Sequence, residues 1–159
     1  WIAANVSDPV LLGPDSESRQ WVAEVAGLAG CRFEVLEKRR SGDRSVEVSV
    51  PRSEALLAGT PVILDDIASS GRTLVRAIER LAEAGTRPPV CVVIHAVFAG
   101  SAYADILAAG AARVVTTDSI PHSSNAISLA GALAQVFHEL QSAELATFPS
   151  SRSSDKVKR

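Results

Sequence analysis

Pro61-Val-Ile-Leu-Asp-Asp-Ile-Ala-Ser-Ser-Gly-Arg-Thr73 joins an apolar run, an acidic pair and a small-residue loop. Val62, Ile63 and Leu64 form a continuous apolar stretch, as a strand buried on both faces of a parallel sheet requires. Asp65 and Asp66 then fall at its carboxyl end, where open α/β sheets place their ligands. Two adjacent like charges repel, so a fold keeps them beside solvent, a metal or a hydroxyl-rich ligand. Ala68, Ser69, Ser70 and Gly71 are small enough for backbone N–H groups to converge on an anion. Thr73, Leu74, Val75 and Ile78 begin an amphipathic helix whose positive dipole end points the same way. The bland alternative is a capped strand-to-helix turn with Asp66 or a serine as N-cap. That accounts for one carboxylate and one hydroxyl but not for the whole string. No lysine follows Gly71, so the segment is not a P-loop.

Outward from this segment, strands and helices alternate. The pattern predicts strands over Val10 to Gly13, Arg32 to Glu37, Val62 to Leu64, Val90 to Val97 and Arg113 to Thr117. It predicts helices over Ser16 to Leu28, with Ser16 as N-cap and Gly30 near the end, and over Thr73 to Ala84, Ser101 to Ala109 and Ile127 to Leu140. Arg39 to Arg44 reads as a charged, glycine-containing segment before an alternating stretch, Val46 to Val50. Such alternation implies an α/β fold, a mostly parallel sheet with helices on both faces. The loops after Gly13, Glu37, Leu64 and Thr117 then belong on one edge. After Leu145 the composition turns polar, so residues 1–145 read as one domain and 146–159 as a disordered tail.

The 159 residues suit a single domain, and 47% hydrophobic content against 4% aromatic predicts an aliphatic core. A net charge of −2 carries no nucleic-acid or membrane signature, and no apolar run is long enough to span a bilayer. Cys31 and Cys91 lack metal-ligand spacing and read as reduced core thiols, which suits the cytoplasm. The sequence has no methionine and opens inside an apolar helical phrase, Trp1-Ile-Ala-Ala-Asn-Val. It is therefore expected to be part of a longer polypeptide.

Taken together, the phrases resemble a known family. Val62 to Thr73 is similar to the phosphoribosyl-diphosphate (PRPP) binding loop of type I phosphoribosyltransferases and ribose-phosphate diphosphokinases. Leu12-Gly-Pro-Asp-Ser, Glu37-Lys-Arg-Arg, His95-Ala-Val-Phe-Ala-Gly-Ser-Ala and Thr117-Asp-Ser-Ile-Pro resemble diphosphokinase phrases, in that family's order. The resemblance narrows the choice to the carboxyl-terminal half of a ribose-phosphate diphosphokinase, or PRPP synthetase, with a type I phosphoribosyltransferase fold.

The resemblance implies Lys38 as the catalytic lysine and Arg40 as a second contact to substrate phosphates. Mobile cations over a transferring diphosphoryl group make physical sense, because charge builds on phosphate oxygens. Ser41, Gly42 and Asp43 would give the arm freedom to move. The resemblance assigns Asp15 to magnesium; taken alone, Asp15 reads better as the cap of the helix beginning near Ser16, and both roles can coexist. It assigns Asp65 and Asp66 to the ribose hydroxyls, and Ser69, Ser70, Gly71, Arg72 and Thr73 to the 5-phosphate. Ser69 and Ser70 depart from the common Asp-Asp-x-x-Asp-Thr-Gly-x-Thr pattern. A hydroxyl can still donate to phosphate, but a carboxylate base at position 69 is lost. His95 reads as a core histidine and His138 as structural or surface. His122 could face a phosphate, and Asp118 could support the sugar site or cap its loop.

The implied activity is transfer of the β,γ-diphosphoryl group of ATP to the C1 hydroxyl of ribose 5-phosphate, within a homo-oligomer. Family members draw much of the ATP site from an amino-terminal domain and a neighbouring subunit. The chain alone is therefore expected to bind ribose 5-phosphate with little or no synthetase activity. The alternatives are a phosphoribosyltransferase using PRPP and a non-catalytic regulatory relative.

Overall fold

The computed structural model describes residues 1–41, 45–51 and 53–147. Five parallel pairings build one six-stranded sheet from β1 (Pro9–Gly13), β2 (Arg32–Val35), β5 (Thr60–Ile67), β6 (Val90–His95), β7 (Arg113–Thr117) and β8 (Asn125–Ile127). Its order is β2-β1-β5-β6-β7-β8. From β1 the chain winds first to β2 and later to the other side, so strand order reverses between β1 and β5. That switch point opens a crevice at the carboxyl ends of the two strands.

The strands are apolar on both sides because both faces are covered. Val10, Leu12, Ile63, Cys91, Val93 and Val114 pack with Leu74, Ala77, Ile78 and Leu81 of α4 (Arg72–Glu83) and Ile106 of α5 (Ala102–Ala108). The alternate residues Leu11, Val62, Leu64, Val90, Val92 and Val115 pack with Ile2 of α1 (Ile2–Asn5) and with Val22 and Ala26 of α2 (Arg19–Ala29). Successive residues of one strand thus serve opposite cores, as the two-residue period of a strand dictates. Each fully buried Leu or Ile stabilises the fold by about 1.5–3 kcal/mol.

Several elements differ from the sequence reading. Helix α2 is preceded by a 3-10 turn, Ser16–Ser18, whose N-cap is Asp15 and not Ser16. The Asp15 carboxylate accepts from the N–H groups of Glu17 and Ser18, which bears out the cap reading of that residue. Gly30 does close α2, in the left-handed conformation at φ 66°. Strand β5 does not stop at Leu64. It continues through both aspartates to Ile67, because β6 keeps supplying partners, Val93 for Asp65 and His95 for Ile67.

β6 itself ends at His95, before Val97. Arg39 to Ser41 belong to an antiparallel ribbon, β3 (Glu37–Ser41) with β4 (Ser45–Ser49), and residues 42–44 lie outside the described residues. Two short elements carry too few periodic residues to stand out in the sequence: α3 (Glu54–Ala58), capped by the Ser53 hydroxyl, and β8.

β8 occupies the start of the helix expected from Ile127, so that the closing helix α6 spans Ala130–Thr147. The chain divides into two units, Trp1–Ile127 and Ser128–Arg159, the second built on α6. α6 ends two residues into the segment read as a tail, and 148–159 lie outside the described residues. Among the described residues no helix is long and apolar enough to cross a membrane.

Candidate functional site

Because every strand of the main sheet points the same way, the segments after Gly13, Val35, Ile67, His95 and Thr117 emerge on one edge. Asp15 follows β1 and Asp65 and Asp66 end β5, so the three carboxylates flank the switch-point crevice.

Their electrostatics are coupled. Burial pushes the Asp65 carboxyl up from its ordinary 3.8 to about 6, and the charges of Asp66 and then Asp15 push it the same way. The Asp66 N–H, donating to Asp65 Oδ1 at 3.1 Å, opposes the rise without cancelling it. A carboxyl held near 6 changes charge in the range where phosphate esters do.

The loop beyond the acidic pair is shaped by what does not cap the helix. Asp66 Oδ1 accepts the Ile67 N–H at 2.8 Å and so serves its own strand end. The N-cap of α4 is Gly71, at φ 69° and ψ −2°, which offers no side chain. The first N–H groups of an α-helix have no intrahelical acceptor, so this end favours an external anion. Asp65 and the run from Ile67 to Leu74 line a concavity of about 160 Å³ there. A concavity of that size takes a phosphate-sized group. Ser69, Ser70, Arg72 and Thr73 are exposed around it, while Ala68 and Gly71 are buried beneath.

Gly71 is required on two grounds. Its backbone is left-handed, and a Cβ there would stand 3.1 Å from Ile106 Cδ1 and 3.3 Å from the Ala102 carbonyl oxygen.

Lys38 and Arg40 lie on β3, which begins directly after Leu36. The Leu36 N–H donates to the Gly13 carbonyl at 2.9 Å, so the ribbon starts at the edge that carries Asp15. Positions 38 and 40 fall on one face of the ribbon and 39 on the other.

Asp15 has a structural duty besides any ligand role. Asp15→Ala removes the acceptor for two N–H groups and is expected to cost about 1 kcal/mol. It should also let the Asp65 carboxyl fall back toward its ordinary value, measurable by side-chain carboxyl NMR during a pH titration.

A family model described as the phosphoribosyl transferase domain matches residues 2–130. The chain belongs to this family. It is 30% identical over 133 residues to a ribose-phosphate pyrophosphokinase of Methanopyrus kandleri, covering 84% of this chain and 45% of that protein. A ribose-phosphate pyrophosphokinase of Methanothermobacter thermautotrophicus is 32% identical over 142 residues, 87% of this chain and 49% of its own length. The chain spans about half the length of these curated relatives. The solved phosphoribosylpyrophosphate synthetase of Mycobacterium smegmatis superposes with a TM-score of 0.70 at 23% identity, over 89% of this chain and 47% of that one. At that identity the likeness is one of fold, the type I phosphoribosyltransferase arrangement.

This phosphoribosyl transferase domain thus brings Asp15, Asp65, Asp66 and the run 69–73 to one crevice. The cysteines stay out of it: Cys91 is fully buried, its thiol pushed up to about 12 by burial and then by the charge of Asp65, and burial also raises Cys31. The sequence reading passed over a hydroxyl network on the same edge. Thr117 Oγ1 donates to the Ile94 carbonyl at 2.6 Å, and Ser119 Oγ lies 2.9 Å from His95 Nδ1. His95 is therefore neither a core histidine nor a surface one. His122 does not open toward the crevice as a lone ring either. It packs against Phe98 and Tyr103 with centroids 4.9 and 4.8 Å away and holds Ser124 Oγ at 2.7 Å. The signal for this network was the density of Thr and Ser at the end of β7 and just beyond it, Thr116, Thr117, Ser119, Ser123 and Ser124.

Proposed function

We propose that this chain supplies the ribose 5-phosphate site and the catalytic arm of a ribose-phosphate diphosphokinase. The observation that carries the reading is the uncapped α4 terminus behind a phosphate-sized concavity, set beside an acidic pair, Asp65 half-buried and Asp66 exposed, at the switch point. The names of the curated relatives and the order of the five sequence phrases support it.

In this reading the 5-phosphate sits on the N–H groups and hydroxyls of Ser69, Ser70, Gly71, Arg72 and Thr73. Asp65 and Asp66 accept hydrogen bonds from the ribose hydroxyls and fix the pentose with its C1 hydroxyl outward. That oxygen attacks the β-phosphorus of ATP, the bond from the β-phosphorus to the α-bridging oxygen breaks, AMP leaves and the hydroxyl proton is lost. Lys38 and Arg40 offset the charge that builds on the transferring group.

Among the described residues no set of three or more His, Cys, Asp and Glu side chains forms a metal cage. The carboxylates of Asp15, Asp65 and Asp66 nevertheless fit magnesium, which takes one or two protein carboxylates and fills its shell with water and substrate phosphates. When bound, magnesium neutralises phosphate charge. The working enzyme in this reading is a cytoplasmic homo-oligomer, and an amino-terminal domain completes the ATP site.

The test is an assay with ATP, ribose 5-phosphate and magnesium on the chain alone and on the chain joined to the amino-terminal half of a relative. PRPP should form only in the second case, and Lys38→Ala should lower that rate at least about 100-fold while leaving ribose 5-phosphate binding in place. Nucleotide formation from PRPP and a nucleobase, without diphosphoryl transfer, would instead establish a phosphoribosyltransferase.

A further inference from the structure

The phosphate loop does not hold its own shape. The Ala68 N–H donates to the His95 carbonyl at 3.2 Å, and the Ala99 N–H donates to the Ser69 carbonyl at 3.0 Å. The loop therefore hangs on the segment 95–99 that leaves the end of β6. His95 still pairs with Ile67 of β5, but on the other side the segment has no sheet neighbour, because the β6–β7 pairing stops at Val93 and Thr116. Side chains at the end of β7 and just beyond it take over there. The Ile94 carbonyl accepts from Thr117 Oγ1 at 2.6 Å and from Ser119 Oγ at 3.1 Å. Ser119 Oγ also meets His95 Nδ1 at 2.9 Å, and the Ser119 N–H donates to Thr117 Oγ1 at 3.3 Å.

We infer that Ser119 is a positioning residue, which sets the phosphate loop through His95 without touching the ligand. The inference rests on the ribose 5-phosphate reading of that loop. The link survives either tautomer of His95. With the proton on Nδ1 the imidazole donates to Ser119 Oγ, whose own proton goes to Ile94; with the proton on Nε2 the serine hydroxyl donates to Nδ1. In the first case the hydroxyl fixes both Ile94 and His95; in the second it fixes His95 while Thr117 alone holds the Ile94 carbonyl, and in both His95, which holds Ala68, is fixed. The same segment is gripped once more from the β7–β8 connection, where the Phe98 ring rests on His122. Thr117 is almost wholly buried and His95 half-buried, whereas Ser119 is exposed, so an unmade hydrogen bond is costly at Thr117 and the Ser119 contact acts on geometry from the surface.

The experiment compares Ser119→Ala with Ser119→Thr, which keeps the hydroxyl. Amide NMR of the ligand-free chain should show Ala68 and Ser69 displaced in the alanine variant and restored in the threonine variant. Titration with ribose 5-phosphate should show Kd raised about fivefold by alanine and returned to near the wild-type value by threonine, a size expected for one hydrogen bond. Unfolding midpoints measured alongside establish that all three proteins are folded at the titration temperature.

Undisplaced Ala68 and Ser69 amides in Ser119→Ala overturn the inference, as does unchanged affinity or a failure of threonine to rescue. A wild-type chain that binds no ribose 5-phosphate overturns the proposed function instead. In that case the ligand-free amide shifts still decide whether Ser119 sets the loop.

Discussion

Asp65→Asn is expected to weaken ribose 5-phosphate binding by about 10- to 100-fold while raising the unfolding midpoint at neutral pH. The loss follows from replacing a carboxylate by a neutral amide at hydroxyls, since hydrogen bonds to charged groups are worth about 1.5–3 kcal/mol. The gain follows from the raised carboxyl. Its folded value is about 6 against an ordinary 3.8, so the folded state binds the proton more tightly than the unfolded one.

Asp65 thus favours folding fully at pH below 3.8, and that contribution is lost as pH rises through about 6. Above 6 the ionised group opposes folding because it is partly desolvated beside Asp66 and Asp15. Asparagine removes this opposition, so its advantage should be constant above about 6 and fade toward 4, measurable by thermal unfolding across that range. A residue that weakens the fold and strengthens ligand binding is how a site differs from a core.

The second large effect is expected at Gly71. Gly71→Ala forces a Cβ into the left-handed region, costing about 1–2 kcal/mol, and drives it to 3.1 Å from Ile106, adding about 1–3 kcal/mol of overpacking. The midpoint of thermal unfolding should fall by roughly 5–15 °C in a chain of this size. Phosphate binding should be lost as well, because relief of the contact moves the N-cap of α4. Gly27→Ala is the matched control. It lies inside α2 with nothing within 4 Å of the added carbon, and should stabilise by about 0.5–1 kcal/mol. Circular dichroism melts of the two variants read both signs in one experiment.

The parts of the fold legible in the sequence are those built from long periodic runs. Val62 to Leu64, Val90 to Val93 and the α4 stripe of Leu74, Ile78 and Leu81 announce buried strands and a covering helix, and the structure has them. The limits of β5 were not legible, because what extends a strand through Asp65 and Asp66 is the neighbouring β6, a tertiary fact with no local signature. The cap of the first helix was left between Asp15 and Ser16 for a similar reason. Asp15 and Ser16 both satisfy the local preference, and only the backbone geometry selects Asp15.

The candidate site shows the same division. The acidic pair and small-residue loop stand in one continuous phrase, so their meeting is local. The support beneath them is assembled from Ile94, His95, Thr117 and Ser119, more than twenty residues apart, and no spacing rule joins those positions.

The most direct test of the account is amide NMR of the chain titrated with ribose 5-phosphate, with ribose as the control. Saturable shifts are predicted at Asp66 and from Ser69 to Thr73 with ribose 5-phosphate, and none at those residues with ribose. Saturable shifts confined to other parts of the chain, or no saturable shift at all, would contradict the claim that this loop is a pentose-phosphate site.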